Sequence, residues 1–183
     1  MKSRYRHVIT TSSFLAVAFV IIGFLAKGLS LNPNAIVSPL VGRQAMDFDV
    51  PLIQQSYFSD KDHVSLEDLK GRPLILNFWA SWCMSCREES HILEEFWSQH
   101  RDEMHILGIA VHDDAETARH FAQRFGKTYP LGLDVSGDAS LNYGVTGVPE
   151  TLFIDSQGVV RHKESGPISS SMLQSYWKKI KEI

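Results

Sequence analysis

With 183 residues, 44% of them hydrophobic, the chain suits one domain with a real core plus an appendage. Its formal charge of −3 is unevenly spread: residues 1–27 hold Lys2, Arg4, Arg6 and Lys27 and no acid, so 18 less 4 leaves 14 basic residues against 21 acidic ones beyond them. A domain of that charge speaks against nucleic acid as a partner, because phosphate binding needs clustered Lys and Arg.

Residues 1–7 read as a basic tail left in the cytoplasm. Val8 to Ala26 follow as 19 uncharged residues, about 28 Å long as a helix and close to the thickness of a bilayer core. Basic residues on the N-terminal side hold that end inside. Residues 8–26 therefore read as a single-pass signal anchor in the inner membrane, with the C-terminal domain in the periplasm. The most apolar part, Phe14 to Ala26, would also serve a cleavable signal peptide, although Ala26-Lys27-Gly28 is a poor cleavage site; a buried core helix is the third reading. Residues 27–40, with Pro33 and Pro39, read as a linker, and 41–183 as the domain.

Within the domain, "DFDVPLI" suggests a strand or hairpin arm. "RPLILNFWA" follows the turn signal Lys70-Gly71 and reads as a buried central strand. The period then changes: Cys86, Glu89/Ser90, Leu93 and Phe96/Trp97 recur at helical spacing, so a helix runs from near Cys83 to near His100. "MHILGIAV" is a strand, and "DAETARHFAQRFG" a helix with Asp114 as N-cap and Gly126 as its stop. "YPLGLDV" is extended and "DASLNYG" a short helix. "ETLFID" and "VVRHKES" flank the hairpin signal Ser156-Gln157-Gly158. "SSSMLQSYWKKIKEI" closes the chain as an amphipathic helix, its Tyr176 and Trp177 packing and its lysines lying at the end. Alternating strands and helices ending in a hairpin predict an α/β domain with a mixed sheet flanked by helices.

The chain's two cysteines, Cys83 and Cys86, sit where the central strand hands over to the helix. A C-x-x-C loop is too small to stabilise the fold much as a structural disulfide. A metal site needs more ligands than two thiolates, and no histidine has a distinctive ligand spacing. Covalent haem would need His after Cys86, where Arg87 stands. Redox exchange is left as the principal reading. At a helix N-terminus Cys83 should ionise readily, while Cys86, one turn inside on the buried stripe, should be shielded. That asymmetry suits attack by Cys83 and resolution by Cys86.

"FWASWCMSC" resembles the active-site segment of thioredoxin-like proteins, and "GVTGVPETLFID" their second active-site loop, with Pro149 matching the cis-proline. From "SPLVGRQAMDF" to the C-terminus the chain resembles the CcmG/DsbE family of membrane-anchored thiol:disulfide interchange proteins of cytochrome c maturation. The resemblance implies a thioredoxin-like fold carrying an extra helical insertion, Asp114 to Gly126. It implies a cis Val148–Pro149 bond packed opposite the cysteine pair, and no cofactor beyond a redox-active Cys83–Cys86 disulfide. It implies a reducing role. Electrons would come from a membrane thiol-disulfide donor and pass to apocytochrome c or to a carrier protein serving it.

Asn77 stands where thioredoxins carry a buried aspartate, and the resemblance carries active-site acids onto Glu89 and Glu150 instead. A partly buried carboxylate beside a thiol disfavours the thiolate and can take its proton. Glu88 points away from the buried stripe and should be solvated. Trp82 should shape the contact surface and Trp79 the core. Arg87 either raises the local positive potential or is an exposed helix charge. His112, Asp113 and Asp114 read as a cap and a solvated loop. Met84-Ser85 between the cysteines departs from the family's usual proline and leaves the first helical turn less constrained. Two alternatives to the reading are a broader-specificity periplasmic thiol-disulfide reductase of the same fold and a copper- or haem-handling thiol chaperone.

Overall fold

The computed structural model of the chain describes residues 15–27, 38–54 and 61–181. Residues 15–27 form a helix, α1, whose apolar side chains, among them Leu15, Phe19, Ile22 and Phe24, are exposed. Among the described residues no helix is long and apolar enough to cross a membrane. The basic tail, the first part of the proposed anchor (8–14) and most of the linker lie outside the described residues.

The second unit, Val37–Ile183, is built on one sheet. Its strands are β1 (Asp49–Gln54), β2 (His63–Ser65), β3 (Leu74–Trp79), β4 (His105–Val111), β5 (Leu131–Asp134), β6 (Glu150–Ile154) and β7 (Val160–Ser165), in the spatial order β2-β1-β5-β4-β3-β6-β7. β3, β4 and β5 run parallel; β1 and β6 flank them antiparallel, and β2 and β7 close the edges. The helices are α2 (Met84–His100), α3 (Ala115–Arg124), α4 (Asp138–Asn142) and α5 (Ser170–Lys181).

β3 is buried along its whole length, which is why its sequence shows no polar alternation. Its pleat divides the core. Ile75 and Trp79 point into a cluster with Leu93, Phe96 and Trp97 of α2, Phe121 of α3, and Leu173 and Trp177 of α5. Leu74, Leu76 and Phe78 point into a second cluster with Phe48, Val64, Leu69 and Tyr143. Each such large side chain, fully buried, contributes roughly 1.5–3 kcal/mol. That anchors β3 from both sides and fixes where its C-terminal end emerges.

Local chemistry sets the boundaries. Asp114 caps α3 by accepting from the N–H groups of Glu116 and Thr117 at 3.1 and 2.9 Å. Gly126, at φ 64°, turns the chain just beyond the helix. The β6–β7 hairpin is closed by Asp155, whose Oδ1 accepts from Gln157 and Val159 N–H, both at 2.9 Å, with Gly158 at φ 82°. β2, only three residues long, carries no pattern that a sequence reading would register.

Candidate active site

β3 ends at Trp79, and four residues later Cys83 becomes the N-cap of α2, with extended backbone angles of φ −82° and ψ 118°. Its sulfur accepts the N–H of Cys86 at 3.0 Å, and the two cysteines are joined in a disulfide. Unpaired N–H groups at this helix end favour negative charge on a sulfur placed there. Both cysteines are buried, Cys86 completely. Across from them, Val148 and Pro149 are linked by a cis peptide, and the Val148 carbonyl oxygen lies 3.7 Å from Cys83 Sγ. Residues far apart in sequence thus converge on one sulfur. Trp82 and Met84, both exposed, flank the opening with apolar surface. Trp79 is core, as expected.

The loop after β4 does more than the sequence suggested. The Asp113 carboxylate accepts from Ser81 N–H at 2.6 Å and from Ser81 Oγ at 2.9 Å. Trp82 Nε1 donates to the His112 carbonyl at 3.1 Å, and His112 holds a left-handed φ of 50°. These residues clamp the loop that presents Cys83, so His112 and Asp113 are tied to the site where a solvated loop was expected, while Asp114 is the cap as expected. A signal was available: β3 and β4 are parallel and pair Trp79 with Ala110, so the residues just beyond each strand emerge side by side. Arg87 is exposed and its guanidinium lies 5.5 Å from the Phe125 ring centroid, a cation–π contact that ties α2 to the end of α3. A groove of about 650 Å³ opens beside Trp82, lined by Ser81, Asp113, Leu133 and Val135 among others.

Beneath the disulfide lies a polar cluster within the apolar core. Asn77 Nδ2 donates to Glu89 Oε1 at 2.9 Å and to Thr151 Oγ1 at 3.0 Å, while Glu89 Oε2 accepts the Ile168 N–H at 3.0 Å. Burial raises the Glu89 carboxyl above its ordinary value, against the lowering effects of the Ile168 and Asn77 hydrogen bonds and the charge of Lys127. Glu88 is exposed, as its position on the helix foretold. Lys127 was missed in the sequence, where "GKTYP" reads as an ordinary helix exit. It is 4% exposed, with Nζ 4.1 Å from the Trp79 ring centroid.

Glu150 lies elsewhere. β6 pairs Thr151 with Asn77 and Glu150 with Phe78. Paired residues of an antiparallel ladder share a face, so Thr151 joins the Asn77–Glu89 cluster and Glu150 faces the other side of the sheet. There Glu150 Oε1 accepts from Thr146 N–H at 3.1 Å and Oγ1 at 2.8 Å, and Oε2 pairs with Lys163 Nζ at 2.7 Å. Lys163 Nζ also donates to the Tyr143 and Gly144 carbonyls at 3.1 and 2.7 Å. The pair stitches together the loop that ends in Val148–Pro149. Among the described residues no group of three His, Cys, Asp or Glu side chains is placed to hold a metal ion.

Comparison with known proteins agrees with this geometry. Residues 41–163 match the AhpC/TSA family. The thiol:disulfide interchange protein DsbE of Allochromatium vinosum is 35% identical over 172 residues, covering 93% of this chain and 89% of its own. That of Pseudomonas fluorescens biotype C is 36% identical over 166 residues, covering 90% and 86%. Among solved structures, MTB DsbF in its mixed oxidized and reduced forms superposes with a TM-score of 0.65 at 27% identity, over 73% of this chain and 94% of that one. A strand-to-helix cysteine pair faced by a cis-proline loop, on a fold shared with DsbF and in a chain matching these relatives over most of its length, leaves one assignment: the chain belongs to the DsbE family of thiol:disulfide interchange proteins and is a thioredoxin-like thiol-disulfide oxidoreductase.

Proposed function

We propose that the protein is a reductase anchored in the inner membrane and facing the periplasm, where it reduces the disulfide of apocytochrome c or of a carrier serving it. A membrane thiol-disulfide protein would supply its electrons. The observation that carries the reducing role is Glu89, a buried carboxylate hydrogen-bonded into the polar cluster on the Cys86 side of the sheet. An acid placed there opposes a stable thiolate, and a dithiol whose thiolate is less stabilised gives up its electrons more readily. The exposed apolar side chains of α1 support an anchor, since such a surface needs apolar surroundings.

The exchange runs in two steps. The Cys83 thiolate attacks one sulfur of the partner disulfide; the partner's other sulfur leaves as thiolate and takes up a proton. Cys86 then passes its thiol proton to Glu89 and attacks Cys83 Sγ. The Cys83–Cys86 bond forms, and the second partner sulfur leaves and is protonated in turn. Two electrons have moved to the partner, whose thiolates take their protons from solvent, to which Cys83 gave up its own proton on ionising and to which Glu89 returns the proton of Cys86. Asn77 holds the Glu89 carboxylate in place, Val148 and Pro149 offer the facing backbone, and Trp82 and Met84 the apolar contact. Glu150 acts on the site through the loop it braces.

The test is entrapment. With Cys86→Ala in the full chain, in cells that make c-type cytochromes, mixed disulfides on Cys83 should accumulate with apocytochrome c or its carrier. Accumulation of unrelated periplasmic proteins alone would favour a broader-specificity reductase, a reading to which the exposed Trp82 and Met84 lend some support because apolar contact tolerates many sequences.

A further inference from the structure

Lys127 is a buried cation that the exchange reaction as written leaves unused. Its Nζ has no hydrogen-bond partner among the described residues, an arrangement that is costly unless something compensates it. Gly126 turns the chain at the end of α3, and the lysine side chain enters a cage formed by the Trp79 ring, with its centroid at 4.1 Å, and the Phe121 and Tyr129 rings, both at 5.5 Å. Gly108 of β4 makes room for the cage. A Cβ there would stand 3.0 Å from Trp79 Nε1 and 3.2 Å from the Tyr129 ring.

The cage sits on the active-site face. Trp79 follows Asn77 by one pleat of β3, and Asn77 is the residue that holds Glu89. The groups around the cation are few. α2 supplies Glu89 and Glu94, and the loop leading into β5 supplies Tyr129. α3 presents Phe121, β3 Trp79 and β4 Gly108, none of which titrates. Glu94 is taken up by Thr128, whose N–H it accepts at 2.8 Å and whose hydroxyl it also binds. Glu94 is half-buried, whereas Glu89 is 1% exposed, so Glu89 is the fully buried acid of the two that act on the lysine. Burial pulls Lys127 down to about 7, against the upward pull of Glu89 and Glu94.

We infer that Lys127 is a positioning residue for the resolving step: its caged charge keeps Glu89 able to ionise, and so able to take the proton of Cys86. This rests on the proposed role of Glu89. When the Cys86 proton reaches Glu89, the lysine loses its counter-charge and holds its own proton less tightly, so the two groups titrate as a pair.

The experiment uses the full chain, reduced, mixed rapidly with Ellman's reagent. Thionitrobenzoate is released first as Cys83 attacks and again as Cys86 resolves. The second phase, followed from pH 5 to 9, should show an acid limb that Lys127→Met moves upward by about one pH unit, slowing resolution about tenfold below the midpoint. In a Glu89→Gln background Lys127→Met should have no further effect. A Lys127→Met limb superposed on wild type, while Glu89→Gln alters it, would overturn the inference and spare the role of Glu89. A limb unmoved by Glu89→Gln would overturn both. Should Lys127→Met not fold, the wild type still decides: the Glu89 carboxyl carbon and the Lys127 ζ-nitrogen should report shared midpoints by NMR, and independent titrations would refute the coupling.

Discussion

Replacing Lys163 with Met probes the loop that faces the cysteines. Lys163 and Glu150 are 8% and 2% exposed, and their charged atoms stand 2.7 Å apart. Methionine would keep much of the volume but strand the carboxylate in the core with only Thr146 to bind it, and the Tyr143 and Gly144 carbonyls would lose their donor. Removing one member of a buried ion pair costs about 3–5 kcal/mol, largely because the other charge stays buried and unmatched. The loss should appear in equilibrium urea unfolding of the oxidised protein at pH 7. Adding Glu150→Gln to Lys163→Met removes the stranded charge and should recover about 2 kcal/mol, leaving only the cost of lost neutral hydrogen bonds. Reduction of a model disulfide should slow in Lys163→Met and recover in part in the double variant, since Val148 rides on this loop. A cost below about 1 kcal/mol for Lys163→Met, or strictly additive single and double variants, would refute the view of this pair as a charge-matched brace.

His105 is buried, and burial together with the Arg72 charge lowers it from 6.5 to about 4. The unfolded chain therefore takes up this proton first as pH falls. The stability is fully present above pH 6.5 and lost on the way down to pH 4, by roughly 3 kcal/mol; comparing thermal unfolding at pH 7 and pH 4, His105→Leu should lose less than wild type. Asp113→Ala removes both acceptors of Ser81, a loss of about 2 kcal/mol, and should abolish hydrogen-exchange protection of the Ser81 amide; retained protection would show that the clamp is unnecessary.

The architecture was legible wherever a periodic pattern had a clear start or stop. β3 and α2 announced themselves by the change of period at Cys83, α3 by Asp114 and Gly126, and the hairpin by Ser156-Gln157-Gly158. The cysteine pair was equally plain, whereas the Val148–Pro149 loop came only from the family resemblance, since "GVPE" by itself reads as an ordinary turn. What escaped depended on register. Glu150 lies one residue from Thr151, yet the pairing of β6 with β3 sends the two to opposite faces, so only Thr151 meets Asn77. Asp113 clamps Ser81 because parallel β3 and β4 end together, a fact of topology rather than of local composition. Lys127 sits at a helix exit, where a lysine is ordinarily solvated, and only the aromatic cage reveals its burial.

The central claim is that Cys83 attacks and Cys86 resolves. Mass spectrometry of the reduced protein, mixed with a peptide whose C-x-x-C-H cysteines are joined in a disulfide, tests it directly. Wild type should convert the peptide to its dithiol and end with the Cys83–Cys86 bond. Cys86→Ala should halt at a mixed disulfide on Cys83, and Cys83→Ala should leave the peptide oxidised. Peptide reduction by Cys83→Ala at the wild-type rate would contradict the account.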